Sequence, residues 1–309
     1  MIWNPDHDES PGGDVGRARH RLRVVAADRR EALLLVVASG KGGTGKSFFA
    51  TNLAVAMSNR GLAVTLLDCD FGLANDHLLL GVNPKLSAQH IFGGLATMEE
   101  VRIKTPYGPY LVPGGSGVSR LGDLTAADLM HFSRGMSRLA GTEDVLIMDA
   151  SAGISPQGVL TLLAAQHVLL VTNPEIAALT DAYALVKCLA QHHGCPRISV
   201  VVNRVRQKGQ GEATFRKLAD VSMQFVGCEI HYLGEVPENA KVTQLRLSQA
   251  PIVVSQPACK AAKAVQEILD RMDLVDGGVG PRTVAEVDAL APRFRKFLSR
   301  GQTNPEHHW

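Results

Sequence analysis

The sequence predicts an α/β fold, a mostly parallel sheet with helices on both faces. Three observations predict it. Apolar, β-branched runs of strand length alternate with segments of helical length from Ala32 onward. The first run, Leu33–Ala38, is apolar throughout, as a strand buried on both faces requires. A glycine-rich loop follows this run, and a helix-compatible segment, Phe48–Asn59, follows the loop. Repeated strand–helix–strand units of this kind produce parallel sheets.

The remaining elements follow the same alternation. Further strands are expected at Ala63–Leu67, Val145–Met148, His167–Val171, Ile198–Val202 and Ile230–Leu233. A helix is expected to begin after Thr125, because Asp128 three residues later forms a variant of the capping box.

The length of 309 residues suits one large α/β domain with tails, or two small domains. We expect an extension at 1–31, a main domain at 32–273, and a linker with a second helix at 274–309. The basic run Arg17–Arg23 is either a solvated arm or a docking segment for an acidic partner.

Composition narrows the function classes. The content of 45% hydrophobic and 20% charged residues is ordinary for a soluble globular protein. The net charge of +2 is too small for nucleic-acid binding by overall charge, so no specific nucleic acid is expected. With no signal core and no run of eighteen apolar residues, a cytoplasmic protein is expected. The five cysteines form no C-x-x-C pair and are interpreted as small buried side chains.

The glycine-rich loop, Gly40–Ser47, fits the pattern G-x-x-x-x-G-K-[ST]. Glycines let backbone N–H groups curl around phosphate oxygens, and the following helix N-terminus adds partial positive charge. Lys46 is expected to bridge the β- and γ-phosphates, and Ser47 to bind Mg²⁺. The loop by itself predicts that a phosphate group binds here together with Mg²⁺. The expected nucleotide contacts here are Gly40, Lys41, Gly42, Gly43, Thr44, Gly45, Lys46, Ser47 and Phe48.

Carboxylates follow two of the expected strands. Asp68 and Asp70 follow Ala63–Leu67, and Asp149 follows Val145–Met148. Ligands of parallel sheets bind at the carboxyl ends of strands, so these side chains are expected to face the phosphates. For Asp68, capping of the following segment remains an alternative.

Lys41 gives the loop the form K-G-G-T-G-K-S, which resembles the deviant Walker A ATPases of the MinD and ParA group. In that family the early lysine reaches across a dimer interface to the partner's nucleotide. The resemblance implies a homodimer in the ATP state, with Lys41, Lys46 and Asp70 as catalytic residues and Asp70 orienting the attacking water. The implied metal ligands, some through water, are Ser47, Asp68 and Asp149. A surface lysine is the alternative for Lys41.

The same resemblance implies further nucleotide contacts. Gly153 is expected to offer its backbone N–H to the γ-phosphate. Asn203 and the backbone near Pro237 are expected to hold adenine. Arg204 either stacks on the base or forms a surface salt bridge.

Longer segments are similar to FlhG proteins, also called FleN or YlxH. The similar segments are Phe71–Gly81, Val112–Gly117, Asn173–Glu175, Leu179–Lys187 and Val202–Val205. The likeness extends over residues 32–272. The family places Asn173–Glu175, with Asp181, at the dimer face; a helix start is the alternative.

FlhG proteins are ATPases that set the number and position of flagella. The resemblance implies slow, partner-stimulated hydrolysis, with an FlhF-type GTPase or a flagellar transcription or assembly factor as partner. The FlhF-activating motif D-Q-A-x-x-L-R is incomplete here, since Gly16–Arg23 lacks the Asp and Gln. Alternatives are a ParA-like DNA-segregation ATPase, another MinD-type positioning ATPase, a metal carrier of the same superfamily, or a non-catalytic scaffold.

The C-terminal segment carries an apolar stripe at helical spacing that includes Phe294, Phe297 and Leu298. Basic residues flank the stripe, as an interfacial helix on an anionic membrane surface requires. Such a helix would place the protein reversibly at the inner face of the cell membrane. The alternative is a helix packed against the main domain.

Overall fold

The structure is a computed structural model that describes residues 32–115, 125–154, 158, 161–162, 165, 167–193, 197–240, 242 and 250–275. Within these residues eight strands form one sheet in the order β3-β4-β2-β5-β1-β6-β7-β8. The strands are β1 (Leu33–Ala38), β2 (Val64–Cys69), β3 (Ile103–Lys104), β4 (Tyr110–Val112), β5 (Val145–Ala150), β6 (His167–Thr172), β7 (Arg197–Val205) and β8 (Ile230–Pro237). Neighbouring strands are parallel except for β3, which is antiparallel to β4. The predicted fold class is confirmed.

Helices cover both faces of the sheet. They are α1 (Lys46–Asn59), α2 (Asp76–Leu79), α3 (Ala88–Phe92), α4 (Met98–Val101), α5 (Ala126–Ala140), α6 (Ile176–His193), α7 (Gln210–Val226), α8 (Ile252–Ser255) and α9 (Lys260–Val275). Alternate side chains of β1 divide between two cores, because successive residues of a strand point to opposite faces. Leu34 and Val36 pack in the core with α3 to α7. Leu35 and Val37 pack in the core with α1, α8 and α9.

The six expected strands are all present, and five of them extend further at the carboxyl end. Asp68 and Asp149 therefore lie inside β2 and β5, and Asn203 and Arg204 lie inside β7. Pairing with a neighbour continues the strand past the apolar run, since Asp68 is opposite Asp149 in the register. Strands β3 and β4 were not predicted, because two and three residues are too few to show a periodic pattern.

The predicted start of α5 is confirmed, whereas the predicted start of the linker is too early. The expected capping box is confirmed: Thr125 accepts from the Asp128 backbone N–H, and the Asp128 side chain accepts from the Thr125 N–H. Helix α9 continues through Val275, so it includes Leu274, where we expected the linker to begin. The basic run Arg17–Arg23, residues 116–117 of the segment Val112–Gly117, and the C-terminal stripe with Phe294, Phe297 and Leu298 lie outside the described residues.

Cysteine burial matches the expectation except at one position. Cys69, Cys188 and Cys228 are buried. Cys259 is only partly buried, because it lies just before α9, where its Sγ accepts from the Ala262 backbone N–H at 3.4 Å. Cys195 lies outside the described residues. None of the described helices combines the length and the apolar character needed to cross a membrane.

Candidate functional site

The loop and the carboxylates meet at one edge of the sheet. Strand β1 leads directly into the loop, and β5 is its parallel neighbour. Strand β2 is next to β5, with Asp68 and Asp149 in register. The adjacent parallel strands therefore place both carboxylates beside the start of α1, as the sequence predicted.

Lys46 points into this cluster of carboxylates. Its Nζ donates to Asp149 Oδ1 at 2.7 Å and to Ser47 Oγ at 3.3 Å. The Lys46 and Asp149 side chains are 7% and 1% exposed. Burial alone would lower the pKa of Lys46, but the Asp149 carboxylate, with Asp76 and Asp68 behind it, raises the pKa instead. The lysine therefore keeps the positive charge that binding of phosphate requires.

Asp68 organises the segment that follows β2. Its Oδ1 accepts from the Asp70 backbone N–H at 3.1 Å. Its Oδ2 accepts from the backbone N–H groups of Asn75 and Asp76 at 3.0 and 3.1 Å. Burial and the Asp149 charge raise the pKa of Asp68 to about 7. Asp68 thus caps the following segment and also lies next to Asp149, so the two interpretations of this residue do not exclude each other.

Asp76 is a site residue that the sequence reasoning missed. It is fully buried, and carboxylate oxygens of Asp68, Asp76 and Asp149 all lie within 4.8 Å of one another. Burial, followed by the charges of Asp149 and Asp68, raises the pKa of Asp76 well above its usual range. From sequence, an Asp that begins a short helix looks like a solvated residue favourable to the helix dipole. Only the turn held by Asp68 directs it inward.

Asp70 occupies the open side of the site. It is partly buried, and its Oδ1 accepts from the Leu73 backbone N–H at 3.2 Å. Unlike Asp68, Asp70 has a second carboxylate oxygen without a hydrogen-bond partner among the described residues, so this oxygen can accept a hydrogen bond from water.

Lys41 points away from the carboxylates. Its Nζ is 3.2 Å from Glu175 Oε2, and the two side chains are 40% and 57% exposed. Asn173 Oδ1 accepts from the Glu175 backbone N–H at 3.1 Å, and α6 begins at Ile176. The segment Asn173–Glu175 is therefore a helix start, as one interpretation held, and it also contacts Lys41.

Two glycines of the loop are required by protein packing. A Cβ on Gly40 would collide with the backbone of Asp181 in α6. A Cβ on Gly45, where φ is +96°, would collide with the Asn203 side-chain amide. That amide donates to Thr44 O at 2.7 Å. The loop is thus held between α6 on one side and β7 on the other.

A cleft beside the loop contains the residues expected to bind adenine. It is lined by Gly45, Phe48, Asn203, Arg204, Val236, Pro237, Glu238, Asn239 and Val242, and it encloses about 470 Å³ including its open mouth. Arg204 is exposed, with φ of 58°, and Arg206 rather than Arg204 forms the ion pair with Glu238, at 2.5 Å. The Asn203 amide braces the loop in this structure, which the sequence reasoning did not predict.

Gly153 and Gly114 border the site through their backbones. The Gly153 N–H, expected to face the γ-phosphate, donates to Ser39 O at 2.8 Å and must be released before it can bind phosphate. A Cβ on Gly114 would lie 2.6 Å from Asp68 O. The glycine in the Val112–Gly117 segment therefore allows close packing against the Asp68 backbone.

A parallel sheet that delivers a glycine-rich loop, a buried lysine and two strand-end carboxylates to one edge defines a P-loop nucleotide-binding protein. The chain belongs to the ParA family of P-loop NTPases, whose sequence profile, described as NUBPL iron-transfer P-loop NTPase, matches residues 31–273.

Individual relatives agree with this assignment. The chain is 34% identical over 240 residues to antiactivator FleN of Pseudomonas aeruginosa, covering 78% of this chain and 86% of FleN. It is 30% identical over 220 residues to flagellum site-determining protein YlxH of Helicobacter pylori, covering 71% and 74% of the two chains. The fold matches septum site-determining protein MinD of Pyrococcus horikoshii, solved with Mg-ADP, with a TM-score of 0.65 and 25% identity over 80% and 98% of the chains. The chain is a MinD/ParA-type ATPase, and the expected relationship to FleN and YlxH is confirmed.

Proposed function

We propose that this ATPase is a molecular switch that regulates flagella. It binds Mg-ATP at Gly40–Ser47, dimerises face to face in the ATP state, and hydrolyses ATP slowly until a partner stimulates it. The observation that carries the proposal is the position of Lys41. This lysine lies at the exposed rim of the phosphate loop, whereas Lys46 lies inside the same loop.

Lys41 can leave its present ion pair and contact the nucleotide of a second chain. An exposed ion pair such as Lys41–Glu175 contributes about 0–1 kcal/mol, so little opposes its release. Two nucleotides brought face to face carry much negative charge, and a lysine from each side offsets it where water is scarce. Leu73 and Ile176, 78% and 83% exposed, are apolar side chains that follow Asp70 and Glu175 in the chain and suit an interface.

The buried side of the loop supports Mg-ATP binding and hydrolysis. When ATP binds, the Lys46 ammonium group leaves its ion pair with Asp149 and contacts the β- and γ-phosphates. Ser47, Asp149 and Asp68 would hold Mg²⁺, the two carboxylates through water. Asp149 Oδ2, which is buried without a hydrogen-bond partner among the described residues, fits this role. The bound cation supplies charge neutralisation of the phosphate oxygens. Asp70, at the open side, orients the attacking water.

In the cleft, Asn203, Arg204 and the backbone near Pro237 hold adenine, with Phe48 along its wall. Gly153 turns its N–H from Ser39 toward the γ-phosphate. This exchange would couple the presence of that phosphate to the shape of the segment after β5.

The flagellar role rests on the similarity to FleN and YlxH. We propose an FlhF-type GTPase or a flagellar transcription or assembly factor as the partner. The cytoplasmic protein would reach the inner face of the membrane through the segment with Phe294, Phe297 and Leu298. Two weakly binding tails add their affinities in a dimer, so ATP would control the attachment.

The deciding experiment measures the mass of the Asp70→Ala protein by light scattering, with ATP and with ADP, with and without anionic liposomes. We expect a dimer with ATP that floats with the liposomes, and a monomer with ADP. Adding Lys41→Ala to Asp70→Ala should return the ATP state to a monomer. A monomer with ATP in the Asp70→Ala protein contradicts the switch.

The process that the switch controls needs its own test. In the source organism, cells that carry Lys41→Ala at the native locus should show altered flagellar number or placement. An ATP-dependent, salt-sensitive shift of DNA, with normal flagella, would favour the DNA-segregation alternative.

A further inference from the structure

Asp76 is a buried carboxylate that has no role in the ATPase mechanism proposed above. It is the first residue of α2, and none of its surface is exposed. Its backbone N–H donates to Asp68 Oδ2, which fixes the residue in the site. Neither of its carboxylate oxygens accepts a hydrogen bond from the described residues, and the neighbouring Asp149 carboxylate can pair with it only through a shared proton. A buried acceptor in this state is costly, so it indicates a ligand that the chain itself does not supply.

The spacing of the surrounding oxygens fits one divalent cation. Asp68, Asp76 and Asp149 each offer an oxygen, and these atoms lie within 4.8 Å of one another. Mg²⁺ binds oxygen at about 2.1 Å, so two ligands on opposite sides are about 4.2 Å apart. Adjacent ligands on the same ion are about 3 Å apart, so direct coordination by all three oxygens would need the cluster to close, whereas coordination through bound water needs less movement.

The charges of the cluster point to the same ligand. If all three carboxylates are ionised, they carry three negative charges against the one positive charge that Lys46 supplies through Asp149 Oδ1. The remaining two negative charges are unfavourable in a buried site, and a divalent cation would balance them in place of protons. Lys46 does not have to leave, because Asp149 Oδ2 is also buried and unpartnered among the described residues. Asp149 can therefore hold Lys46 with one oxygen and the cation with the other.

We propose that Asp76 completes a three-carboxylate site with Asp68 and Asp149 that binds Mg²⁺ in the absence of nucleotide. The inference rests on the proposed assignment of Asp68 and Asp149 to the metal, but not on hydrolysis, dimerisation or flagellar regulation. ATP would then meet a site that already holds its cation.

The test is a titration of Mn²⁺, used as a paramagnetic probe, into the full-length protein freed of nucleotide and of metal. Free Mn²⁺ is measured by electron paramagnetic resonance. We expect one Mn²⁺ per chain, displaced by Mg²⁺. Asp76→Asn should weaken binding at least about tenfold, as loss of a residue that supports a metal site does. The matched control is Asp270→Asn, an exposed carboxylate held by Arg60 at 2.6 Å, which should leave binding unchanged. Absence of Mn²⁺ binding to the wild type, or equal binding by Asp76→Asn, overturns the inference.

Thermal unfolding separates this role from a structural one. Burial raises the pKa of Asp76 well above its usual range, so the metal-free protein either keeps this carboxyl protonated or buries its charge. Asp76→Asn removes that cost, so in EDTA its melting temperature should equal or exceed that of the wild type. Its stabilisation by Mg²⁺ should be smaller than that of the wild type. A lower melting temperature in EDTA with an unchanged Mg²⁺ effect would assign Asp76 a structural role and overturn the inference. Mn²⁺ binding in a protein that stays monomeric with ATP would support the inference and contradict the proposed switch.

Discussion

Lys41 and Lys46 are five positions apart in one loop, yet they occupy opposite environments. Lys46 is 7% exposed and contacts a carboxylate that is 1% exposed. Lys41 is 40% exposed and contacts a carboxylate that is 57% exposed. Both form ion pairs across the chain, at 2.7 and 3.2 Å, so the contact itself does not distinguish them.

Burial determines what each pair contributes. Removing one partner from a buried pair leaves an uncompensated charge, which costs about 3–5 kcal/mol, whereas an exposed pair is screened by water. The inner lysine is therefore part of the stability of its site and is committed to one place. Lys41 can leave Glu175 at little cost, which a residue that contacts the nucleotide of a second chain must be able to do.

The largest expected effect comes from making the same substitution at both lysines. Lys46→Met should lower affinity for a fluorescent ATP analogue at least about 100-fold, because the phosphates lose a buried ammonium group. It should also lower the free energy of unfolding without metal at pH 8 by about 3–5 kcal/mol. Lys41→Met, the matched control, should change analogue binding to the monomer less than about threefold and stability by less than about 1 kcal/mol. Equal losses in both variants would remove the distinction between the inner and the outer lysine.

The next effect compares two glycines of the loop. Gly40→Ala places a Cβ against the Asp181 backbone, and backbone cannot move aside as a flexible side chain can. We expect a loss of about 2–3 kcal/mol in urea unfolding, with weaker nucleotide binding. Gly42 has nothing within 4 Å of an added Cβ, so Gly42→Ala tests the same change on the open side. Its stability should stay within about 0.5 kcal/mol of the wild type. A stable Gly40→Ala protein would show that α6 does not restrain the loop.

The smallest expected effect is a pH dependence of stability that comes from the buried carboxylate Asp68. The pKa of Asp68 rises from 3.8 to about 7 on folding, so the folded state binds more protons than the unfolded state between these values. Stability contributed by this group therefore falls as pH rises toward 7 and is level above it. Without metal or nucleotide, the free energy of unfolding of Asp68→Asn should rise by about 1–3 kcal/mol relative to that of the wild type between pH 5 and pH 8.

The comparison with the variant cancels groups that Asp68 does not influence, whereas Asp76, whose pKa the Asp68 charge helps to raise, contributes to the difference. Burial lowers the pKa of His167 to about 4, which has the opposite effect on stability below pH 6.5. His167 is present in both proteins, so its contribution cancels. A difference in free energy of unfolding between the two proteins that does not change with pH would show that the pKa of Asp68 is not raised.

Most of the fold was predictable because apolar periodicity and glycine placement are local properties. The apolar run Leu33–Ala38 gave β1 with its observed bounds, and Thr125 with Asp128 located the start of α5. The strand ends were less accurate, since the pairing of Asp68 with Asp149 extends both strands past their apolar residues. That pairing joins positions far apart in the chain, and periodicity carries no information about it.

The sequence by itself determined the chemistry of the site: a loop for phosphate, a lysine and serine for the nucleotide and its metal, and carboxylates at strand ends. Tertiary structure alone decided which side chains face inward. It directed Lys46 and Asp76 into the carboxylate cluster and Lys41 out to Glu175. It also placed the Asn203 amide on the loop backbone. The physical reason is that residue type sets the charge of a group, whereas burial, which depends on distant segments, sets the energetic effect of that charge.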